Sequence, residues 1–170
     1  MGDIFKIHFS WVKEKCLKSG EANTSGYKAH ANTSGYNAHA NTSGYNAHAN
    51  TSGYNAHANT SGNHAHANTS GYNAHANTSG NYAHANTSGD EAHANTSGDE
   101  AIACAIGVQS RIKIEGNAKF GILVNWIIKD DKYIIKDIHK LEVNKKVKGV
   151  KIKRGTWYWF EDDKLKFTKD

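Results

Sequence analysis

Proline is absent from all 170 residues, and cysteine occurs only twice. A chain that gives up no backbone N–H to a pyrrolidine ring can hydrogen-bond along its whole length, as a stack of paired strands requires. The two cysteines, Cys16 and Cys104, stand on either side of a long repeat. That separation is far beyond the roughly 7 Å over which a disulfide closes, so both are expected as free thiols. Long apolar runs are missing too. Met1 to Trp11 is interrupted by Lys6 and His8, which predicts no secretory signal, and nothing later approaches the about 20 apolar residues of a membrane-spanning helix. The expected setting is the cytoplasm, with no membrane partner. Also lacking are a glycine-rich nucleotide loop, paired catalytic carboxylates and a cysteine metal motif, so the chain is predicted to be non-catalytic, with no cofactor and no metal.

What the chain has is a phrase written over and over. Glycines fall nine residues apart from Gly26 to Gly116, which makes eleven units in one frame. From Ala22 to Ala101 each unit reads Ala-Asn-Thr-Ser-Gly, two variable residues, then Ala, followed by His in every unit but the last, where Ile102 takes that place. The variable pair runs from Tyr27-Lys28 through Asn63-His64 to Asp99-Glu100, a tolerance expected of side chains in water. A fixed period of this kind predicts stacked repeats.

A helix is a poor carrier for this unit, because glycine and the Asn-Thr-Ser run compete with helical hydrogen bonding. Strand and turn fit better. Alternation through Ala29-His30-Ala31-Asn32-Thr33 sends Ala29, Ala31 and Thr33 to one face and His30 and Asn32 to the other. Ser34-Gly35 then turns the chain, with Gly35 able to take positive φ. Nine residues are too few to close a coil around side chains, so each unit is half a coil and a rung takes eighteen residues. The predicted fold is an all-β parallel β-solenoid of nine-residue half-coils with a core of Ala, Ala and Thr, in which stacking replaces bulk.

The flanks differ in composition and charge. Residues 1–21 carry four Lys against three acids, residues 22–101 one Lys against four acids, and residues 102–170 sixteen Lys and Arg against nine acids. The net charge of +5 therefore comes from the C-terminal part. Phe5, Ile7, Phe9 and Trp11 alternate with polar residues ahead of a short helix expected over Val12 to Leu17, so residues 1–21 are predicted to cap the solenoid. The solenoid is assigned to residues 22–116. Its inward residues grow near the end, where Ala103 and Ala105 give way to Ile112 and Ile114. Residues 117–170 are predicted as a small basic antiparallel β domain, with strands at Phe120 to Ile128, Tyr133 to Val143, Val147 to Ile152, Thr156 to Phe160 and Lys164 to Phe167.

The unit Ala-Asn-Thr-Ser-Gly-Tyr-Asn-Ala-His, the segment Ile102 to Gly107 and Thr156-Trp157-Tyr158 together resemble a family of bacterial and phage nonapeptide-repeat β-solenoid proteins. The family's repeat is of the Ala-Thr-Ser-Gly-[Tyr/Asn/Asp]-x-Ser-Thr-Ala type, similar in style to pentapeptide-repeat solenoids. Asn and His stand here where that family more often has Ala and Thr, which changes the outer surface and leaves the inward set intact. The resemblance implies a phage or mobile-element interaction protein whose partner is a host protein.

Three constellations invite chemistry. His30, His48, His66 and His84 should form one outward column and His39, His57, His75 and His93 another. A straight column offers adjacent imidazoles but not the converging ligands of a zinc site, so a stacked ladder is expected. Charging neighbours one rung apart should also disfavour protonation in the folded state. The basic run Lys145 to Arg154 beside Trp157 and Trp159 is the second, with Lys146, Lys148, Lys151, Lys153, Arg154, Trp157 and Trp159 as candidate partner-binding residues. Such a set could hold a nucleic-acid backbone and stack bases, and its charge is expected to contact the partner, although lysines also guard strand edges. Third, Cys104, Asp137 and His139 are the residue types of a nucleophilic set, but nothing in their order distinguishes them from a chance grouping.

The features above predict a non-catalytic binding protein, and the resemblance implies one that binds and inhibits a host defence or DNA-processing protein, anti-CRISPR-like or gyrase-inhibitor-like, with homo-oligomer formation open. A rigid spacer or fibre component, nucleic-acid binding through the basic end, and an ice- or lattice-binding array are the alternatives.

Overall fold

The computed structural model describes residues 20–169; the cap expected over residues 1–21 lies almost wholly outside them. Every described repeat unit is one short strand and one turn. The strands are β1 (Glu21–Ser25), β2 (His30–Ser34), β3 (His39–Ser43), β4 (His48–Ser52), β5 (His57–Thr60), β6 (His66–Thr69), β7 (His75–Thr78), β8 (His84–Thr87), β9 (His93–Thr96), β10 (Ile102–Ala105) and β11 (Arg111–Ile114). Parallel pairing joins every second strand at an offset of eighteen residues, so that Ala31 lies opposite Ala49 and Ala40 opposite Ala58. Odd strands build one sheet and even strands the other. Two units therefore make one coil, as the glycine spacing predicts.

The inward set is the expected one. Ala38, Ala40, Ala56 and Ala58 are fully buried and Thr60 and Thr69 nearly so, while the intervening His and Asn are half-buried on the outer faces. With only methyl groups and threonine between them, the two sheets share a thin core held chiefly by the backbone ladders.

The turns depart from the expectation in an instructive way. Gly26, Gly35, Gly44 and Gly53 have φ of 119° to 139°, but from Gly62 to Gly107 the repeat glycines are not in that region. The left-handed residue of each turn is instead the second variable one, from Lys28 to Gln109, with φ between 49° and 58° throughout. The repeat glycines are there for space. A Cβ built on Gly71 would overlap the carbonyl oxygen of Gly53 one rung away, and one on Gly98 would overlap that of Gly80. The constant residue fits the closest approach between rungs, and the tolerant position bears the unusual backbone angle.

Past β11 come β12 (Phe120–Lys129), β13 (Lys132–Glu142), β14 (Lys146–Val147), β15 (Val150–Lys151), β16 (Thr156–Glu161) and β17 (Lys164–Lys169). The single strand expected over Val147 to Ile152 is a hairpin, broken where Lys148 and Gly149 adopt φ of 46° and 81°. One edge of β12 continues the parallel stack, Phe120 opposite Ile102, and completes a sixth coil; its other edge pairs antiparallel with β13. In the second sheet β16 pairs antiparallel with β11, Tyr158 opposite Ile112, and β17 follows. The antiparallel strands thus extend the last rungs of the same two sheets. The core widens as anticipated: Ile112, Ile114, Leu123 and Leu141 are fully buried, and a Cβ on Gly121 would collide with Ile112. Ile152 is buried in this core, and Val147 and Val150 of the β14–β15 hairpin pack against it.

Candidate functional site

Each outer face of the solenoid is ruled by columns of identical side chains. In the even-numbered sheet Asn50 Nδ2 donates to Asn32 Oδ1, Asn68 to Asn50 and Asn86 to Asn68, at 2.8 to 2.9 Å. The odd-numbered sheet repeats the pattern from Asn41 to Asn23 up to Asn77 to Asn59. Within each run the amides donate to one neighbour and accept from the other, and the odd-numbered run ends at Asn77, because Asn95 donates to Glu115 instead. Beside Asn and Thr in the even-numbered sheet runs an open trough of about 560 Å³ that ends at Cys104 and Ile106.

The histidines form the two predicted ladders. His30, His48, His66 and His84 stack with ring centroids 4.8 to 4.9 Å apart and planes within 7° of parallel. His39, His57 and His75 stack at 4.7 to 4.8 Å, and the column ends where His93 tilts against His75 and meets the Trp157 ring at 5.0 Å. Among the described residues no group of three or more His, Cys, Asp or Glu is arranged to hold a metal ion. Burial lowers the pKa of His48, His57, His66, His75, His84 and His93, and at His48, His57 and His66 the charge of neighbours in the same column adds to it. His93 goes furthest, to about 4, through burial first and then His75 and Arg111. The direction is the expected one, but desolvation leads and like-charge repulsion follows.

The seven candidate binding residues do not form one site. Lys146 and Lys151 are exposed on the two strands of the β14–β15 hairpin. Lys148, at its turn, is drawn into a charge cluster, 3.2 Å from Asp163 and 3.4 Å from Asp137, and these carboxylates raise its pKa. Arg154 is occupied by a hydrogen bond to the Gly116 carbonyl. Trp157 and Trp159 belong to the outer face of the odd-numbered sheet, where Lys113 lies over Trp157 at 4.9 Å and Arg111 over Trp159 at 4.6 Å. There Trp157 finishes the histidine column.

Lys151 and Lys153 line a different feature, a cleft of about 540 Å³ between the β14–β15 hairpin and β16–β17. Lys169 joins them, with Phe167 standing 59% exposed and Tyr158 at the base. The Tyr158 hydroxyl accepts the Lys153 N–H at 2.7 Å, fixing the backbone from which Lys153 projects. No acidic residue lines the cleft among the described residues.

No family model matches the chain, and no curated protein or solved structure matches it either.

The proposed nucleophilic set is not assembled. Cys104 continues the outward Asn column of the even-numbered sheet, opposite Ile122, whereas His139 lies opposite the buried Leu123 and packs against Phe160 on the inner face. Burial also pushes the Cys104 thiol up, away from thiolate chemistry. Reading the sequence overlooked Lys169 and Phe167 because they come from β17, twelve or more residues beyond the basic run. Lysine and phenylalanine on a terminal strand carry no local signal, and only the β16–β17 pairing brings them to the hairpin. The role of Asp163 was hidden likewise. In sequence it is a turn residue, yet its carboxylate accepts from Lys136 at 2.6 Å, Asn125 at 2.8 Å and Lys148 at 3.2 Å, and these partners hold it well below the usual carboxylate range. No helix among the described residues is long and apolar enough to cross a membrane.

Proposed function

We propose that the chain is a non-catalytic interaction protein, a near-neutral rod carrying a basic recognition end, and that this end binds an acidic surface on a partner protein. The observation that carries the reading is the Lys151–Lys153–Lys169 cleft with the exposed ring of Phe167 beside it. Three ammonium groups steer an acidic partner and one aromatic ring supplies desolvated contact area. The repeat faces upstream contribute rigidity, since their amides are already engaged with one another. The resemblance of the repeats to phage and mobile-element solenoids supports the more specific form of the proposal, in which the partner is a cytoplasmic host defence or DNA-processing protein and binding inhibits it.

The experiment is capture from bacterial lysate on the immobilised chain, read by mass spectrometry, beside the same capture on a K151E/K153E/K169E variant. An acidic protein retained by the first and reduced at least about tenfold on the second supports the reading. Equal retention on both would sink it. Capture that disappears after nuclease treatment would favour nucleic acid, for which lysines next to an exposed ring also offer phosphate and stacking contacts.

A further inference from the structure

The even-numbered sheet ends in β13, whose outer edge has no strand beside it among the described residues. Such an edge offers a row of N–H and C=O groups to any extended segment, and proteins usually guard it with free lysines. Here two of the three lysines of β13 are engaged: Lys136 is bound to Asp163, and Lys140 pairs with Glu142 at 3.3 Å and lies over the Phe120 ring at 4.5 Å, while Lys132 stands exposed at the start of the strand. Next to the edge runs an exposed apolar strip, with Ile128 at 65%, Tyr133 and Ile135 at 52%, Ile138 at 65% and Ile106 at 44% exposure. The polar His-Asn-Ser columns of this sheet have given way to isoleucine and tyrosine where the sheet stops.

We propose that β13 is a homodimer interface, pairing antiparallel with β13 of a second copy about a twofold axis between Lys136 and Asp137. The four central residues of the strand, Ile135 to Ile138, are self-complementary about that point. Lys136 falls opposite Asp137 of the second copy, Ile135 opposite its Ile138, and Tyr133 opposite its Lys140. These pairings need matching faces, and a bulge supplies them. Asp137 pairs with Asn125 and Ile135 with Trp126, which leaves Lys136 as the extra residue. Ile138 is opposite Val124 and Ile135 opposite Trp126, two positions on the same side of β12, so both isoleucines emerge on the outer face three residues apart. In a regular strand they would point in opposite directions. Lys136 and Asp137 side chains remain 40% exposed despite their existing partners, accessible to opposite charges across the axis. The contact is isologous and closes at two copies. It joins two seven-stranded sheets edge to edge and sets Ile135 and Ile138 of each chain beside Ile138 and Ile135 of the other.

The test is sedimentation velocity of the full chain over about 1 to 100 μM, a range that brackets micromolar dimers. The expected result is a concentration-dependent dimer, which I135K/I138K weakens by roughly 100-fold while the circular dichroism spectrum is unchanged. F167K on β17 should leave the dimer intact. In a C16S/C104S background, I135C/I138C should oxidise to a covalent dimer, because directly opposed strand residues lie at about the Cα separation a disulfide spans. A chain that is monomeric throughout the range, a dimer that survives I135K/I138K, or failure of the cysteine pair to cross-link would each overturn the proposal.

Discussion

The repeat and the C-terminal strands share two continuous sheets yet solve the core problem in opposite ways. Between the repeat strands nothing larger than threonine is buried, and cohesion comes from ladders of backbone, asparagine and histidine that recur every eighteen residues. Past Ile112 the interior is filled by isoleucine, leucine, Tyr158 and Phe160, and the stabilising unit becomes the packed side chain. The first region should therefore fail when atoms are added and the second when atoms are removed.

Adding one methyl to the repeat is the harshest test of that contrast. Gly71→Ala places a Cβ on top of the Gly53 carbonyl, and separating two rungs to admit it is expected to cost at least about 4 kcal/mol, at the extreme end for single substitutions. The same change at Gly155 has open space and only an unfavourable φ of 62° to contend with, so about 1 kcal/mol is expected. Chemical denaturation of the two variants provides the comparison, and equal losses would break it. On the other side, Leu141→Ala should cost about 2 to 5 kcal/mol through the cavity it leaves. A neutral outcome there would mean that the C-terminal strands also rely on their ladders.

A third prediction sharpens the comparison through pH. Because the folded-state pKa values of six ladder histidines lie below 6.5, the unfolded chain takes up protons first as pH falls. The stability they contribute is complete above pH 6.5 and drains away as pH falls toward the His93 value of about 4. Replacing the eight ladder histidines with threonine should flatten the decline in Tm across that window. An unchanged slope would move the cause to groups outside the ladders. Smaller still is the effect expected at Gln109, which holds φ of 54°. Gln109→Gly should stabilise by up to about 1 kcal/mol by relieving a left-handed residue, partly offset by the entropy glycine adds to the unfolded chain.

The repeat was legible because its period is written in the sequence: Gly26 to Gly116 fix the offset, and the Ala-His-Ala-Asn-Thr alternation fixes the faces. Less visible was why each constant residue is constant. Glycine's role is set by a backbone one rung away, a contact across eighteen residues that local turn chemistry does not report. At the C-terminal end the strands were identified from their apolar content, but the turn that splits Val147 to Ile152 rests on Lys148 adopting a left-handed angle, for which lysine gives no warning. The candidate site suffered most. Lys148 and Arg154 carry the charge that basic runs advertise, yet both are spent on contacts within the chain, while Phe167 and Lys169 reach the cleft through strand pairing alone.

The coil built from two interchangeable units also constrains how the gene can change. Near-identical tandem segments are prone to unequal recombination, which removes or adds whole units without disturbing the reading frame. Loss of two units withdraws one rung and leaves every later strand in its own sheet, so the basic C-terminal end comes nearer by about 4.8 Å and keeps its heading. Loss of one unit exchanges odd for even from that point onward. The basic C-terminal end would then swing half a turn about the rod and point the other way. Copy number thus encodes two quantities at once, reach in its pairs and bearing in its parity, and a lineage under selection to hold one partner should vary its repeats in even steps.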